Sequence, residues 1–409
     1  MASRLPVTRS FVTEAGSVTG ADSQVILLRV SGPDRPGLFA GLLGVLATGN
    51  ARIQDVEQVV IRHQLTLCLV LEVPRGQDLL KDLLLFGWEQ EVSVDFDVVD
   101  PTPSANIGAH AVTVLGNELT PSMLAATATA IASGEGNIRR IVRLSRHPIY
   151  SYELLVEGGN GNAIRKNLLE VAGAHPEFDV AIQREGLARR AKRLAVLDVD
   201  STLIQDEIID LLAAEANCSE QCQALTSQAV RGEIDFETAL RERVSLLEGL
   251  TEADLERAWD KVRLTPGART FLTTLKRLGF VVAIVSGGFT RFCNRLATQF
   301  DLDHAHANVL EMAHGKLTGN LEGPIVDRPR KAELLRQIAV SEGVSLEQVV
   351  AVGDGANDID MLTAAGLGIA FNAKPKVREV VETSVNVPHL DAVLFLLGVS
   401  RQEVEAEGI

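Results

Sequence analysis

The second half of the chain follows one pattern that restricts its fold more than any other feature. From about residue 190 onward, short apolar runs alternate with amphipathic segments of helical length, and the runs are LAVL, VVAIV, VVAV and LGIAF. Strands that helices bury on both faces have this continuous, β-branched composition. The pattern therefore predicts an α/β domain with a parallel sheet over residues 188–409.

Polar residues directly follow three of these runs. They are Asp198 and Asp200 after LAVL, Ser286 and Gly287 after VVAIV, and GDGAND (353–358) after VVAV. Lys331 lies near the start of the helical segment that precedes VVAV. Open parallel sheets bind their ligands outside the carboxyl ends of the strands. We therefore expect these four groups to meet at one edge of the sheet.

These residue types suit the transfer of a phosphoryl group. A carboxylate at a strand tip, such as Asp198, can attack phosphorus and form an aspartyl-phosphate. A second carboxyl group, on Asp200, can protonate the leaving oxygen and later deprotonate water. The Ser286 hydroxyl, the backbone N–H groups beside it and the Lys331 ammonium can hold phosphoryl oxygens. Carboxylates without nearby Cys or His favour Mg²⁺ as the metal.

Three other well-known site motifs do not match this sequence. Counted from Asp198, the sixth and twelfth positions are Leu203 and Ile209, which excludes a calcium-binding EF-hand loop. IVSGG has Ile284 where a nucleophile elbow needs glycine, and the chain contains no P-loop sequence. Taken alone, the D-x-D pair or the GDGAND segment could be an ordinary turn. Their combination in this order favours a catalytic site.

Composition limits the classes of partner. The formal net charge of −15 argues against a nucleic-acid partner, which requires clustered Lys and Arg. The start of the chain has no apolar signal-peptide region, and no apolar run approaches the ~18 residues that span a bilayer. The four cysteines are few and scattered, so we expect no disulfide framework and a cytoplasmic protein without membrane attachment. For Cys218 and Cys222 we expect ordinary packing rather than a zinc site.

The first half contains an internal repeat. After a polar tail at residues 1–20, residues 21–102 and 103–187 each follow the order βαββαβ, with Gly32 matching Gly116 and Asn50 matching Asn137. This order is typical of a small ferredoxin-like α+β domain, in which helices cover one face of an antiparallel sheet. The chain is therefore expected to fold into two such domains and then the α/β domain.

The motifs of residues 190–400 resemble those of the haloacid dehalogenase superfamily of phosphotransferases. DVDST is similar to its first motif, VSGG to its second, Lys331 to its third and GDGANDIDM to its fourth. The resemblance implies a Rossmann-like core with a helical cap at about residues 206–264. It also implies that Asp198 is the nucleophile and Asp200 the general acid and base. Mg²⁺ would be held by the Asp198 carboxylate, the Asp200 backbone carbonyl and Asp354, with support from Asn357 and Asp358.

The cap resembles that of the phosphoserine phosphatase family in particular, in the segments DSTLIQDEIID and GEIDFETALRERVSLLEGL. The resemblance implies that Glu207 meets the substrate ammonium, Arg243 its carboxylate and Phe236 its apolar side. The planar guanidinium of Arg suits a carboxylate because it can bind both oxygens. On the residues alone, Glu207 and Arg243 could equally be solvated helix residues. Val230 departs from the larger apolar residue that relatives often carry.

The two N-terminal repeats resemble ACT domains, which commonly bind amino acids and regulate the attached enzyme. SGPDRPG (31–37) fits their ligand loop, with Gly37 at its end and Asp34 as an expected cap for the following helix. The second copy has LGNELTP and lacks the DRPG turn. Serine is the implied regulatory ligand, although both copies could instead serve only dimerisation. A homodimer through the open sheet edges is expected.

Together, these resemblances imply an Mg²⁺-dependent enzyme that hydrolyses O-phospho-L-serine in the last step of serine biosynthesis. One alternative is a related phosphatase that acts on another small phosphomonoester or on phosphoprotein. A second is an amino-acid-sensing protein whose phosphatase half is only a scaffold. The presence of every motif position speaks against the second alternative.

Overall fold

The computed structural model describes residues 23–75, 78–100, 108–175, 178–381 and 383–408. The expected tail at residues 1–20 and most of the linker between the repeats lie outside these ranges. The chain divides into two compact units, Met1–Ala105 and Asn106–Ile409. The first unit contains the first repeat, and the second contains the other repeat together with the α/β region.

The first repeat forms a four-stranded antiparallel sheet with the strand order β2-β3-β1-β4. Its elements are β1 (Ser23–Pro33), α1 (Leu38–Thr48), β2 (Arg52–Ile61), β3 (Gln64–Pro74), α2 (Leu79–Glu89) and β4 (Ser93–Val98). Alternate residues of β3, from Leu65 to Val73, are buried against helix residues such as Leu42 and Leu83. This period of two gives the sheet one apolar face, which the helices cover.

The second repeat has the same architecture, with the strand order β6-β7-β5-β8. Its elements are β5 (Ala109–Gly116), α3 (Pro121–Ser133), β6 (Gly136–Ser145), β7 (Tyr150–Gly158), α4 (Gly161–Ala174) and β8 (Phe178–Arg184). The predicted match of Asn50 with Asn137 is wrong by two positions. Asn50 and Glu135 are the equivalent residues, since each has positive φ directly after a C-capping glycine.

The α/β region contains a seven-stranded sheet with the order β12-β11-β10-β9-β13-β14-β15, parallel except for β12. Its strands are β9 (Leu194–Leu197), β10 (Val281–Phe289), β11 (His304–Ala313), β12 (Lys316–Glu322), β13 (Val349–Gly353), β14 (Leu367–Phe371) and β15 (Thr383–Val385). This sheet and the two antiparallel sheets confirm the predicted fold class. The central strand β9 is fully buried, which explains its continuous apolar sequence.

The hairpin that β11 and β12 form belongs to this sheet. The first part of β11 pairs in parallel with β10, and its second part pairs with β12 in antiparallel fashion. The pairing of β11 with β10 shifts register between Val285 and Phe289, so Phe289 lies opposite Asn308. The register shift places Asn308 beside the segment that follows VVAIV.

Helices and short helical turns complete the α/β region and the segment that leads into it. The helices are α5 (Leu187–Arg190), α6 (Ile208–Glu215), α7 (Ser219–Arg231), α8 (Phe236–Ser245), α9 (Glu252–Trp259), α10 (Ala268–Arg277), α11 (Thr290–Phe300), α12 (Arg328–Ser341), α13 (Ile359–Ala364), α14 (Pro375–Arg378), α15 (Val393–Leu396) and α16 (Arg401–Ala406), and short 3₁₀ turns include Leu346–Gln348 and Leu390–Ala392. Helices α6–α9 occupy the stretch predicted as a cap. Asp235 caps α8, and Thr251 and Asp254 form a capping box on α9.

The second repeat and the α/β region share one hydrophobic core. Leu115, Leu144 and Ala181 of the repeat belong to the same buried cluster as the strands of the parallel sheet. The buried Asp179 carboxylate on β8 accepts hydrogen bonds from the Asn386 backbone N–H at 2.6 Å and from its side-chain amide at 2.5 Å. Both apolar and polar contacts therefore join these two parts of the second unit.

Neither a membrane span nor a disulfide is found in the described part of the chain. No helix there is both long enough and apolar enough to cross a bilayer. All four cysteines are free, and Cys218 and Cys222 are buried in the core around α6 and α7. Their placement agrees with the ordinary packing expected from the sequence.

Candidate active site

Asp198 lies buried at the carboxyl end of the central strand β9, in contact with a buried lysine. The Lys331 Nζ atom on α12 lies 2.8 Å from Oδ1 of Asp198 and 2.7 Å from Oδ1 of Asp358. Burial alone would lower the pKa of Lys331, but the two carboxylates outweigh it and hold this pKa above its usual value. Lys331 is therefore a permanent cation between two acidic side chains.

Asp200 faces a different set of donors. Its Oδ1 accepts a hydrogen bond from the Ile208 backbone N–H at 2.8 Å, and its Oδ2 accepts one from the Ser286 hydroxyl at 2.9 Å. A Cβ atom at position 288 would lie 2.6 Å from Oδ2 of Asp200, so glycine is required there. Burial raises the pKa of Asp200, and these hydrogen bonds oppose the rise only in part. Asp200 therefore holds a proton more readily than an exposed aspartate.

Three carboxylates form a cluster that suits a metal ion. Oxygen atoms of Asp198, Asp354 and Asp358 all lie within 4.8 Å of one another. Burial raises the pKa of Asp354 to about 6, with the charge of Asp358 adding to the effect, and the Thr202 hydroxyl donates to Asp354 at 3.0 Å. Burial and the Asp358 charge also raise the pKa of Asp198 well above its ordinary range, against the opposing effect of Lys331.

The charge balance and the donor type of this cluster fit a divalent cation. One lysine faces several carboxylates, so negative charge is in excess, and a cation would keep the aspartates ionised. The ligand atoms are oxygens, and neither His nor Cys belongs to the cluster found among the described residues. Hard cations such as Mg²⁺ prefer such ligands.

Glu207 stands at the opening of the site, immediately before α6. The Ser201 hydroxyl donates a hydrogen bond to its Oε1 at 2.7 Å, and Ser201 itself has a φ of 57°. Surrounding protein atoms desolvate the carboxyl group and raise its pKa to about 7, and the negative charges of Asp200 and Asp354 contribute. A positively charged group placed here would relieve this repulsion.

Arg243 differs from the other arginines of the cap. The cap contains five arginines, and four of them form ion pairs; these are Arg231, Arg241, Arg257 and Arg263. Arg243 hydrogen bonds instead to the Ala239 carbonyl and the Thr226 hydroxyl, at 3.2 and 3.3 Å. Within the described residues no carboxylate lies at ion-pair distance from Arg243. Its guanidinium is thus available to a carboxylate from outside the chain.

The remaining predicted residues border Gly287. A Cβ atom at that position would lie 3.7 Å from Cζ of Phe236 and 4.0 Å from Nδ2 of Asn357. The Phe236 ring is partly exposed on the first turn of α8. The structure therefore brings the cap and the carboxyl edge of the sheet together around this glycine.

Sequence reasoning missed three residues that support the site. Ser201 and Thr202 belong to the quoted DVDST motif, so their closeness to the two aspartates was a usable signal. Asn308 gave no such signal, because only the pairing of β11 with β10 brings it near. Its amide donates to the Gly287 carbonyl at 2.8 Å and its carbonyl oxygen accepts from the Val326 N–H at 2.8 Å.

The ligand-loop prediction in the first repeat needs one correction. Asp34 does not cap α1, because the N-cap position is Gly37, with a φ of 89°, and no side-chain cap bond forms. The Asp34 backbone N–H instead donates to the His63 carbonyl at 2.8 Å. The N-cap position therefore lies three residues after Asp34.

Comparisons with known proteins agree with this geometry. Residues 195–363 match the family model of haloacid dehalogenase-like hydrolases, and residues 24–97 and 108–183 each match an ACT domain model. Each match lies inside the corresponding predicted domain, whose exact bounds stay a prediction.

Two curated relatives match along nearly the whole chain. A phosphoserine phosphatase of Streptomyces coelicolor is 48% identical over 94% of this chain and 95% of its own. The phosphoserine phosphatase SerB2 of Mycobacterium tuberculosis is 45% identical over 93% of this chain and 95% of its own. A crystal structure of a probable phosphoserine phosphatase from Vibrio cholerae, in unliganded form, has a TM-score of 0.57 at 34% identity and covers 73% of this chain and 88% of its own. The chain belongs to the phosphoserine phosphatase family, with a haloacid dehalogenase-like domain behind two ACT domains.

Proposed function

We propose that this protein hydrolyses O-phospho-L-serine to L-serine and phosphate through an aspartyl-phosphate on Asp198. The main support is the pairing of a buried strand-tip carboxylate, held by Lys331, with a second carboxyl group on Asp200 that has its own donors. One group is placed to attack and the other to move a proton. The activity of the relatives points to the same reaction.

In the first half-reaction, an oxygen of Asp198 attacks phosphorus and the bond to the seryl oxygen breaks. Asp200 donates its proton to that oxygen, a role that its raised pKa favours. Lys331, the Ser286 hydroxyl and the N–H groups of the Gly287 turn hold the phosphoryl oxygens as charge shifts among them. L-Serine leaves, and phosphate stays bonded to Asp198.

In the second half-reaction, water attacks phosphorus of the aspartyl-phosphate. Asp200, now ionised, takes a proton from this water, and the bond between phosphorus and the Asp198 oxygen breaks. Phosphate departs, and both aspartates return to their starting protonation states. The Ile208 backbone N–H keeps Asp200 oriented throughout.

We assign the metal as Mg²⁺, held by the Asp198 carboxylate, the Asp200 backbone carbonyl and Asp354, with Asp358 and Asn357 in support. When bound, it supplies positive charge to the phosphoryl oxygens and offsets the excess of carboxylates. Activity should disappear with EDTA and return with Mg²⁺. Activity that survived complete chelation would contradict this assignment.

Substrate choice is assigned to the cap, where Arg243 binds the carboxylate and Phe236 covers the apolar side. We expect Arg243→Ala to lower kcat/KM for phosphoserine about 10²-fold, because the substrate carboxylate loses its partner. Phosphoethanolamine, which has no carboxylate, should be affected far less. Phosphate-release assays measure kcat/KM for both substrates.

The control is Arg241→Ala, which removes a neighbouring arginine that pairs with Glu237. Unchanged discrimination in Arg243→Ala would contradict the substrate assignment.

Glu207 is expected to make substrate preference depend on pH. Only its ionised form attracts the substrate ammonium, and its pKa of about 7 means that this form is lost as the pH falls below neutrality. The ratio of kcat/KM for phosphoserine to that for phospholactate, which lacks the ammonium, should rise between about pH 6 and pH 8. Phosphate-release assays in matched buffers give this ratio. Glu207→Gln should flatten the profile, and a flat profile in the wild type would count against this role.

The ACT domains suggest regulation by a small ligand, and we propose serine as that ligand and loop 31–37 as its site. Serine is then expected to lower activity. Calorimetry on the full-length Arg243→Ala variant would detect binding outside the active site, and a lack of binding there would reject the proposal.

We also propose a homodimer through edge strand β2, because all of its residues are exposed, including Ile53, Val56 and Val59. Light scattering would measure its mass.

A further inference from the structure

Arg243 must present its guanidinium in one orientation to bind a carboxylate with both oxygens, and two uncharged acceptors restrict it. The Nε–H group donates to the Ala239 carbonyl, one turn earlier on α8. One Nη1–H group donates to Oγ1 of Thr226, which lies on the neighbouring helix α7. Besides these two bonds, one hydrogen of Nη1 and both hydrogens of Nη2 have no partner among the described residues.

The Thr226 hydroxyl can act only as an acceptor toward Arg243. Its own hydrogen is used, since Oγ1 donates to the Cys222 carbonyl at 3.1 Å, one turn back on α7. A hydroxyl has one donor hydrogen and two acceptor positions, so a lone pair remains for the guanidinium. The rotation of the hydroxyl is therefore determined within α7, and its lone pair faces α8.

The neighbouring charges explain why a neutral anchor matters. Burial raises the pKa of the Asp210 carboxyl group. The positive charge of Arg243 lies close enough to oppose this rise in part. An ion pair with Asp210 would occupy the guanidinium and compete with a substrate carboxylate. The neutral Thr226 hydroxyl holds the side chain without supplying a rival negative charge.

From this geometry we propose that Thr226 is a positioning residue for substrate specificity, which orients Arg243 toward the carboxylate of phosphoserine. It acts through Arg243 and does not itself touch the reacting atoms. The inference rests on the proposed function and extends it to a residue on a helix that carries none of the assigned site residues.

The test compares Thr226→Val, which removes the hydroxyl at nearly constant shape, with Thr226→Ser, which keeps it. The measured quantity is the ratio of kcat/KM for phosphoserine to that for phosphoethanolamine. Thr226→Val should lower this ratio about five-fold, mainly through a higher KM for phosphoserine. Thr226→Ser keeps the hydroxyl and should keep a ratio close to that of the wild type. In the Arg243→Ala background, Thr226→Val should cause no further decrease.

A matched control is Thr298→Val. The Thr298 hydroxyl donates to the Asn294 carbonyl at 2.9 Å on α11, the same contact within a helix that Thr226 makes, and no arginine of the described residues hydrogen bonds to it. If Thr226→Val unfolds the protein, Thr226→Ala provides the same comparison with Thr226→Ser. An equal decrease for both substrates, or a further decrease in the Arg243→Ala background, would show a purely structural role and overturn the inference.

The proposed function and this inference fail in different ways. A wild-type protein that releases no phosphate from phosphoserine overturns both. A wild-type protein that prefers phosphoserine, together with a Thr226→Val variant of unchanged preference, overturns the role of Thr226 alone.

Discussion

Asp198→Asn should reduce phosphate release from phosphoserine by at least about 10⁴-fold, since the amide is not a nucleophile toward phosphorus. The change preserves shape and removes one of the crowded buried carboxylates, so the fold should be retained. Assays with excess Mg²⁺ measure turnover, and acid quenching with labelled substrate measures covalently bound phosphate. No phosphoenzyme is expected in this variant.

Two comparisons make this experiment decisive. Asp200→Asn retains the nucleophile but lacks the base for the second half-reaction, so any phosphoenzyme that forms should persist. Asp360→Asn is the matched control, because Asp360 lies on α13 and pairs with Arg328 at the surface. Near-normal turnover in Asp198→Asn would reject the covalent mechanism.

Lys331→Met should lower the free energy of unfolding by about 3–5 kcal/mol at neutral pH, measured without metal. The lysine is fully buried, and its removal leaves Asp198 and Asp358 with uncompensated charge. The pKa of Asp198 is raised already, and it should rise further without the lysine. As the pH falls and Asp198 takes up a proton, the difference between variant and wild type should therefore shrink.

Urea titration followed by fluorescence measures this loss. The chain has two tryptophans, and Trp88 lies in the first unit, so a Trp88→Phe background leaves Trp259 on α9 as the reporter of the second unit. The control is Lys276→Met, which removes a partly exposed ion pair with Asp303 and should cost no more than about 1 kcal/mol. Equal midpoints for Lys331→Met and the wild type would contradict the ion-pair account.

Much of the fold followed from local sequence patterns. Strands β9, β10 and β13 are apolar along their whole length, and the sites that follow them have the turn residues expected at a strand end. Because parallel strands share one carboxyl edge, Asp198, Ser286 and Asp354 could be predicted to lie near one another. The alternation in β3 likewise predicted a sheet covered on one face.

The rest depends on pairings between distant parts of the chain, which local patterns do not encode. Asn308 reaches Gly287 only because β11 joins the parallel sheet with a shift in register. The contact of Thr226 with Arg243 depends on how α7 packs against α8. The mistaken match of Asn50 with Asn137 has a simpler origin. The two residues have the same side chain, but the residue with the same positive φ as Asn50 is Glu135.

The shared core of the second repeat bears on how such a protein can be assembled from parts. Cutting the chain near residue 187 would expose Leu115 and Ala181 and would separate Asp179 from the Asn386 segment that it binds. Arg189, buried just past that point, would lose Glu153. A gene fusion or truncation at the first unit crosses none of these contacts. A new first repeat could therefore be joined to this chain without breaking these contacts, whereas the second repeat has to be kept together with the α/β region.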